Sequence, residues 1–202
     1  MLEQLDVSRE TLARLEKFEQ VICKWNPKIN LVSRHSLKDL WTRHIVDSIQ
    51  VFRCAGSAPA GKWVDIGSGG GFPGLIIAIL SAEEAPDLEV VLIESDQRKA
   101  AFLRTAAREC GVKVEVRSER IEKAPPQEAD IMSARALADL ALLFEFTERH
   151  LKPGGVALFP KGASWKKEVD NAQGRWRFDA EPVSSITENE AVILKIRGVA
   201  RV

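Results

Sequence analysis

The chain has 202 residues, 45% of them hydrophobic, which suffices for one α/β domain with its own core. Its 29 Lys and Arg residues balance 29 Asp and Glu residues, so it lacks the basic excess of many nucleic-acid-binding proteins. No apolar run reaches the roughly 20 residues that span a bilayer, and no signal peptide is evident at the N-terminus, so we expect a cytoplasmic protein without membrane contact.

Two amphipathic helices are predicted first along the chain. Apolar residues recur at helical spacing over residues 9–25 behind Ser8, whose hydroxyl can cap the helix, and Asn26-Pro27-Lys28 is expected to end it. The segment Ser36-Leu37-Lys38-Asp39 resembles a capping box and predicts a second helix to about Phe52. We expect residues 1–61 to form an N-terminal helical extension packed on a core of residues 62–202.

The pattern beyond residue 61 alternates short apolar strands with helices. Strands are predicted at 63–66, 88–94, 112–116, 129–133, 156–160, 175–184 and 190–197, and helices at 73–82, 97–110, 136–150 and 164–172. Such alternation is typical of an α/β fold with a doubly wound, mostly parallel sheet. The sequence therefore predicts a seven-stranded Rossmann-like sheet.

A glycine loop joins the first of these strands to its helix in the segment Trp63-Val64-Asp65-Ile66-Gly67-Ser68-Gly69-Gly70-Gly71-Phe72-Pro73-Gly74. Such a loop lets a ligand approach the backbone closely, and the helix N-terminus offers unsatisfied N–H groups. Glu94 ends the next strand at the spacing where an acid can bind ribose hydroxyls. We predict a pocket for an adenosine-bearing cofactor, with Gly67, Gly69 and Gly71 in its loop.

Two cofactors fit this loop. Residues 69–74 match G-x-G-x-x-G, so an NAD-dependent oxidoreductase is one reading. Asp65 disfavours it, because a carboxylate inside the strand end can hold the loop amides or the amino group of an amino-acid cofactor. The two consecutive strands that end the sheet are typical of an S-adenosylmethionine methyltransferase. Asp65 could alternatively be a helix-capping acid.

Further motifs make the interpretation more specific. Residues 65–74 are accompanied by Asn30-Leu31-Val32-Ser33, Arg43-His44-Ile45-Val46-Asp47-Ser48, Ser133-Ala134-Arg135-Ala136 and Lys161-Gly162. Over residues 20–197 the chain resembles the bacterial small-subunit ribosomal RNA 7-methylguanosine methyltransferase family, also called glucose-inhibited division protein B. Ala134 departs from the family form Ser-Arg-Ala and loosens the assignment of Arg135.

The resemblance implies roles for individual residues. Contacts to S-adenosylmethionine are implied for Gly67, Phe72, Glu94, Ser95, Asp96, Ile121, Glu122 and Arg135. Substrate positioning is implied for His44, Arg135 and Lys161, and substrate binding for Asn30, Arg43, Asp47 and Ser48. From the residues alone, His44 could equally be a satisfied half-buried side chain, and Asn30 a turn residue.

The implied reaction needs few catalytic groups. Guanine N7 carries a free lone pair and can attack a methyl sulfonium without a general base, so positioning should dominate. The three cysteines and three histidines show no metal-ligand spacing, and we expect no metal. Neither the nucleophilic cysteine of pyrimidine-carbon enzymes nor the motif of exocyclic-amine enzymes follows the fourth strand.

The expected partner is small-subunit ribosomal RNA or the assembling small subunit, bound by a monomer. Because a local basic patch suffices for RNA, two groups are expected to contact phosphates: Lys24, Lys28, Arg34, Lys38 and Arg43, and Lys161, Lys166, Lys167, Arg175 and Arg177. A methyltransferase acting on another RNA, a protein or a small molecule, and a noncatalytic ribosome-binding module, remain alternatives.

Overall fold

The computed structural model describes residues 6–56 and 59–202, without the Arg34 side chain. One seven-stranded sheet in the order β3-β2-β1-β4-β5-β7-β6 forms its centre. The first five strands are parallel, and β7 runs antiparallel to both β5 and β6. The strands are β1 (Lys62–Ile66), β2 (Glu89–Ile93), β3 (Glu115–Arg117), β4 (Ala129–Ser133), β5 (Leu151–Lys161), β6 (Trp176–Ser184) and β7 (Val192–Arg201).

Helices cover both faces of the sheet, which is why β1 and β2 are buried over their last four residues. They are α1 (Arg9–Ile29), α2 (Arg34–Lys38), a π-helix (Trp41–Val46), α3 (Asp47–Cys54), α4 (Gly74–Glu84), α5 (Gln97–Glu109), α6 (Leu140–His150) and α7 (Trp165–Gln173). The predicted α/β class with a mostly parallel seven-stranded sheet is confirmed. No helix in the described ranges is long and apolar enough to cross a bilayer.

The N-terminal helices share a hydrophobic core with one face of the sheet. Phe18 of α1 is fully buried, and its ring centroid lies 5.4 Å from that of Phe72 and 6.4 Å from that of Phe102 in α5. The same cluster contains Phe52 of α3 and Trp63 of β1. The division at residue 61 stays a prediction, and residues 57 and 58 beside it lie outside the described residues.

The predicted end of the first helix is wrong. The helix α1 continues through Pro27 to Ile29. Pro27 lies in the last turn, where its missing N–H costs at most one helical hydrogen bond. The Asn26 side chain stabilises this end of the helix, because its Oδ1 accepts from the amides of Leu31 (2.7 Å) and Val32 (2.9 Å). Asn30 is the C-cap and has a left-handed conformation.

The second predicted helix begins earlier and is not uniform. Its N-cap is Ser33, whose hydroxyl accepts from the Ser36 amide at 3.0 Å, so Ser36 does not open a capping box. After α2 the chain forms one wide π-helical segment before α3. Such segments are uncommon and often occur at functional sites. Here the segment carries Arg43 and His44 and is followed at once by Asp47.

The predicted helix over residues 136–150 also begins too early. Asp139 caps α6 by accepting from the Leu142 amide at 3.0 Å, and the helix starts at Leu140. Residues 134–139 are instead a loop in which Ala136 has a positive φ of 52°. This loop lies at the carboxyl end of β4, where the candidate site is found.

Candidate active site

The candidate site lies where the carboxyl ends of β1, β2 and β4 meet. In a doubly wound sheet, ligands bind where neighbouring strands connect in opposite directions. Here that point lies between β1, followed by the glycine loop, and β4, followed by Ala134 and Arg135. Two neighbouring pockets of about 1060 Å³ and about 370 Å³ open there and share Gly67, Gly69 and Lys99.

The glycine loop is held against the end of β2. The amides of Gly67 and Ser68 donate to the Ile93 carbonyl at 2.9 and 3.2 Å. Gly67 has a φ of 66°, and a Cβ there would lie 2.6 Å from Leu137 Cδ1, so only glycine fits. A Cβ on Gly69 would meet no heavy atom closer than 3.7 Å, so this stretch of backbone is open to a ligand.

Glu94 fixes the geometry of this pocket. It is buried, with its Oε2 accepting from the Gly69 amide at 2.8 Å and its Oε1 accepting from the Asp96 amide at 2.7 Å. One carboxylate thus ties the glycine loop to the turn before α5. Hydrogen bonds to a charged acceptor are stronger than neutral ones, so Glu94 organises both walls of the smaller pocket.

The smaller pocket combines these polar groups with an apolar slot. Ser95, Ile121 and Glu122, for which the resemblance implies cofactor contacts, line it. Its apolar surface comes from Ile121 and from residues on the loop before α6 and on α6 itself, namely Leu137, Leu142 and Phe146. A carboxylate-organised polar edge beside an apolar slot suits a nucleoside, with ribose toward the polar edge and a purine in the slot.

Asp65 lies beneath the glycine loop rather than in a pocket. It is fully buried, and its Oδ1 accepts from the Ser133 hydroxyl at 2.7 Å. The Ser133 oxygen in turn accepts from Trp63 Nε1 at 2.9 Å. Asp65 Oδ2 has no hydrogen-bond partner in the described chain, although the nearby Gly74 amide lowers the carboxyl pKa slightly. Burial dominates and raises the pKa of Asp65 to about 6.

This burial predicts a pH-dependent stability difference between the protein and an Asp65→Asn variant. Between about pH 4 and pH 7 the unfolded carboxyl is ionised before the folded one, so Asp65 destabilises the fold progressively as pH rises, by about 3 kcal/mol in total. Asparagine does not ionise. Urea unfolding at several pH values should show the variant gaining stability relative to the parent as pH rises; a pH-independent difference would contradict the assignment.

The larger pocket is a groove whose floor is a stack of three side chains. The His44 ring stacks on Phe72 with centroids 4.9 Å apart and an interplanar angle of 26°. The Arg135 guanidinium lies 5.1 Å from the centroid of the same ring. The π-helix, the glycine loop and the loop after β4 therefore each contribute one member of this stack, and its neighbours leave the Phe72 ring buried.

Arg135 is held in this position by two further contacts. Its Nη1 lies 3.7 Å from Asp47 Oδ2 and donates to the Arg43 carbonyl at 3.1 Å. Burial raises the pKa of Asp47, and the neighbouring Arg135 acts in the opposite direction. The ion pair links the helix α3 to the sheet edge and leaves the guanidinium oriented toward the groove.

His44 is neutral in this setting. Burial, followed by the charges of Arg135 and Arg43, lowers the pKa of His44 to about 3. Neither ring nitrogen has a hydrogen-bond partner in the described part of the chain. Because both nitrogens are buried, this neutral imidazole can meet a ligand by stacking rather than by a hydrogen bond, and it carries no charge at physiological pH.

Lys161 lies at the far end of the groove. Its Nζ donates to Glu168 Oε2 and to the Ala138 carbonyl, both at 2.8 Å. The side chain is only 9% exposed. Lys161 therefore joins α7 to the loop before α6, and its charge is already balanced by Glu168.

The structure does not bring all predicted site residues to the pockets. Asn30 is exposed at the end of α1, and Ser48 is fully buried and donates to the His44 carbonyl at 2.6 Å. Neither lines the groove. Gly71, Asp65 and Asp96 also lie outside the linings, and Asp96 caps α5 by accepting from the Arg98 and Lys99 amides. Their predicted contacts with cofactor or substrate stay predictions.

Sequence reasoning missed several residues that line the site. Lys99 lines both pockets and Arg120 lines the smaller one. The connection from β6 to β7 contributes Ser185, Thr187 and Glu188 to the groove. Lys99 lies one turn into α5 behind the Glu94 strand, a position that could have signalled it. Nothing local marked the β6–β7 connection, because its place at the groove depends on strand order.

Comparison with known proteins decides the family. A family model described as rRNA small subunit methyltransferase G matches residues 11–196. The chain belongs to this methyltransferase family. Relatives named ribosomal RNA small subunit methyltransferase G include one from Ruegeria sp. (strain TM1040), 65% identical, and one from Ruegeria pomeroyi, 63% identical; each alignment covers 98% of this chain and 96% of the relative.

Solved structures show the same fold at low sequence identity. A SAM-dependent methyltransferase from Aquifex aeolicus is 15% identical with a TM-score of 0.61, covering 78% of this chain and 92% of that chain. A mutant of MtNAS in complex with S-adenosylmethionine is 16% identical with a TM-score of 0.62, covering 94% and 73%. Both likenesses establish the methyltransferase fold.

Family membership confirms the resemblance drawn from the sequence and, with it, an S-adenosylmethionine-dependent methyltransferase. The NAD-dependent reading is thereby set aside. The smaller pocket fits this cofactor, since it offers the open Gly69 backbone, the Glu94 carboxylate and an apolar slot. The described residues contain no group of three or more His, Cys, Asp or Glu side chains that could hold a metal ion.

Proposed function

We propose that the chain transfers a methyl group from S-adenosylmethionine to N7 of a guanosine in small-subunit ribosomal RNA, with the smaller pocket holding the cofactor and the larger groove the acceptor. The assignment of one pocket to the cofactor and the other to the acceptor rests on one observation, that Gly67 and Gly69 line both pockets. A cofactor lying along this loop would have its reactive end at the mouth of the groove. The relatives' name supplies the substrate class.

On the cofactor side, bound S-adenosylmethionine supplies an electrophilic methyl group. Glu94 accepts ribose hydroxyls while holding the loop amide of Gly69. Ile121 and Leu142 would enclose the adenine, and Ser95 and Glu122 line the same pocket. Asp65 joins the end of β1 to the end of β4 through Ser133, and its carbonyl accepts from the Ser68 hydroxyl of the glycine loop at 2.9 Å. These side chains position the donor and take no part in proton transfer.

On the acceptor side, the stacked floor of the groove positions the base. The half-buried, neutral His44 ring, backed by the buried Phe72 ring, offers a planar face for a purine, and stacking of this kind stabilises unpaired bases in RNA recognition. Arg135 lies against the same surface, where its charge and donors can orient an acceptor oxygen or phosphate. Guanine N7 needs no base to attack, which agrees with a groove whose histidine has its pKa lowered to about 3.

Methyl incorporation tests the proposal directly. Purified protein and labelled S-adenosylmethionine are incubated with one candidate substrate at a time. The candidates are small subunits from a strain lacking the gene, their deproteinised RNA, large subunits and total protein. We expect label only with the small subunit or its RNA, as 7-methylguanosine. Label in protein or in large subunits, or at another atom, would contradict the proposed substrate.

The partner and setting follow from the substrate. We propose that the enzyme acts as a monomer in the cytoplasm on the assembling small subunit or its RNA. The ratio of label in particles to label in free RNA reports which form is preferred. Sedimentation equilibrium of the free enzyme tests the monomer.

Arg43 is expected to contribute one phosphate contact at the groove. It is exposed, lines the groove and forms no ion pair in the described part of the chain, whereas Lys161 from the second basic group is already paired and Arg34 lies outside the described side chains. Arg43→Ala should weaken RNA binding and reduce the salt slope of log K by about one. Arg98→Ala, exposed and paired to Asp96 away from both pockets, is the matched control. An unchanged slope in Arg43→Ala would remove Arg43 from the RNA contacts.

A further inference from the structure

The connection from β6 to β7 forms one wall of the acceptor groove and is internally organised. The Ser185 hydroxyl accepts from the amides of Thr187 (3.1 Å) and Glu188 (3.2 Å), and the Ala191 amide donates to the Glu188 carbonyl at 3.1 Å. These bonds close residues 185–191 into a compact turn. Its groove side carries Thr187 and Glu188.

Gln50 of α3 fixes this turn against the groove. Its Nε2 donates to the Ser184 carbonyl at 2.7 Å, and its Oε1 accepts from the Ile186 amide at 3.1 Å. A side-chain amide that satisfies both a carbonyl and an N–H of one loop holds that loop in register. Glu188 is therefore presented to the groove by a pre-organised support, which lowers the entropy lost on binding.

In the described part of the chain the acids that line the groove are Asp39, Asp47, Glu168 and Glu188. Asp39 and Glu188 are both exposed, but Glu188 is the one carried by the turn that Gln50 fixes against the groove. Asp47 is paired with Arg135, and Glu168 is paired with Lys161. Glu188 forms no ion pair in the described ranges and is exposed in the groove. It lies within electrostatic reach of Asp47, whose pKa is raised by burial, lowered by Arg135 and raised further by Glu188.

An unpaired carboxylate in an RNA groove repels phosphates, so it suits a partner that offers donors. Guanine alone among the four bases presents two adjacent donors, N1–H and N2–H₂, on its Watson–Crick edge. Enzymes that act on an extruded base read that edge by hydrogen bonds. A carboxylate on it leaves N7, on the opposite side of the purine, free toward the cofactor.

We infer that Glu188 recognises the Watson–Crick edge of the acceptor guanosine and selects guanine over the other bases at this site, with Gln50 as its positioning residue. The inference rests on the proposed function and adds to it the group that reads the base. Inosine isolates the contact, since it keeps N7 and N1–H but lacks the N2 amino group.

The test measures methylation by each enzyme variant on each acceptor base. Wild type and Glu188→Ala are assayed on small-subunit RNA carrying guanosine or inosine at the mapped acceptor position. Wild type should lose roughly 10- to 100-fold in kcat/KM on inosine, the range for one good bidentate base contact. Glu188→Ala should lose a similar factor on guanosine and discriminate the two bases by less than about threefold. Its Kd for S-adenosylmethionine should be unchanged, which also shows that it is folded.

Two further variants sharpen the result. Glu190 lies in the same turn but outside the groove lining. Glu190→Ala should therefore keep the wild-type ratio of kcat/KM on guanosine to kcat/KM on inosine. Asp39 also lines the groove. If Asp39→Ala loses the preference in kcat/KM for guanosine over inosine while Glu188→Ala keeps it, the inference is overturned. Retained discrimination in Glu188→Ala overturns the inference alone, whereas a wild-type enzyme inactive on the guanosine RNA overturns the proposed function.

Discussion

Glu94→Gln should weaken binding of S-adenosylmethionine by roughly 100-fold, because the charge-assisted hydrogen bonds that the carboxylate would accept from the ribose, each of about 1.5–3 kcal/mol, are lost or weakened in a neutral amide. Glutamine keeps the shape of the side chain but turns one acceptor into a donor that faces the amide of Gly69 or Asp96. The glycine loop and the turn before α5 then lose their shared anchor. Isothermal titration with S-adenosylmethionine measures the effect.

A control on the same strand separates this effect from general damage. Glu89 begins β2 at its opposite, exposed end, so Glu89→Gln should bind the cofactor with wild-type affinity. Added S-adenosylmethionine should raise the melting temperature of Glu89→Gln but not that of Glu94→Gln, because a ligand stabilises only a protein that binds it. Full affinity in Glu94→Gln would show that the smaller pocket does not hold the cofactor's ribose.

Arg135→Ala is expected to lower kcat by roughly 100-fold, the usual scale for removing one positioned electrostatic group from an active site. The substitution removes the guanidinium over Phe72 and leaves the Asp47 carboxylate without its partner. Single-turnover methylation measures the chemical step apart from product release. The cofactor Kd should rise much less than kcat falls, because Arg135 lines the groove and not the smaller pocket.

Arginine geometry is part of this expectation. Arg135→Lys keeps the charge near Asp47 but cannot reproduce a planar guanidinium stacked on an aromatic ring, so it should recover only part of kcat. Arg201→Ala is the matched control, since Arg201 forms a surface pair with Glu148 and lines neither pocket, and it should retain full activity. Wild-type kcat in Arg135→Ala would remove Arg135 from the acceptor site.

Sequence reasoning succeeded where short-range patterns determine the structure. The glycine loop must adopt left-handed conformations at Gly67 and Gly69, and Glu94 stands at the spacing set by one strand-helix-strand unit. Both features depend on neighbours in the chain. The same short-range patterns predicted the mostly parallel, seven-stranded sheet that the structure confirms.

Its errors arose where tertiary contacts override local signals. Pro27 reads as a helix end, yet the Asn26 side chain supports the last turn by capping two amides beyond it. The π-helix that brings His44 onto Phe72 has no evident local signature. Glu188 reached the groove only because β7 inserts between β5 and β6, and residue-level roles throughout the site remain predictions.

The most direct test of the central assignment is chemical mapping of small-subunit ribosomal RNA from a gene-deletion strain complemented with this chain. Borohydride reduction and aniline treatment cleave RNA at 7-methylguanosine. We predict one cleavage site that is absent in the deletion strain, restored by the wild-type chain and not restored by Glu94→Gln. An identical cleavage pattern in the deletion and complemented strains would contradict the assignment.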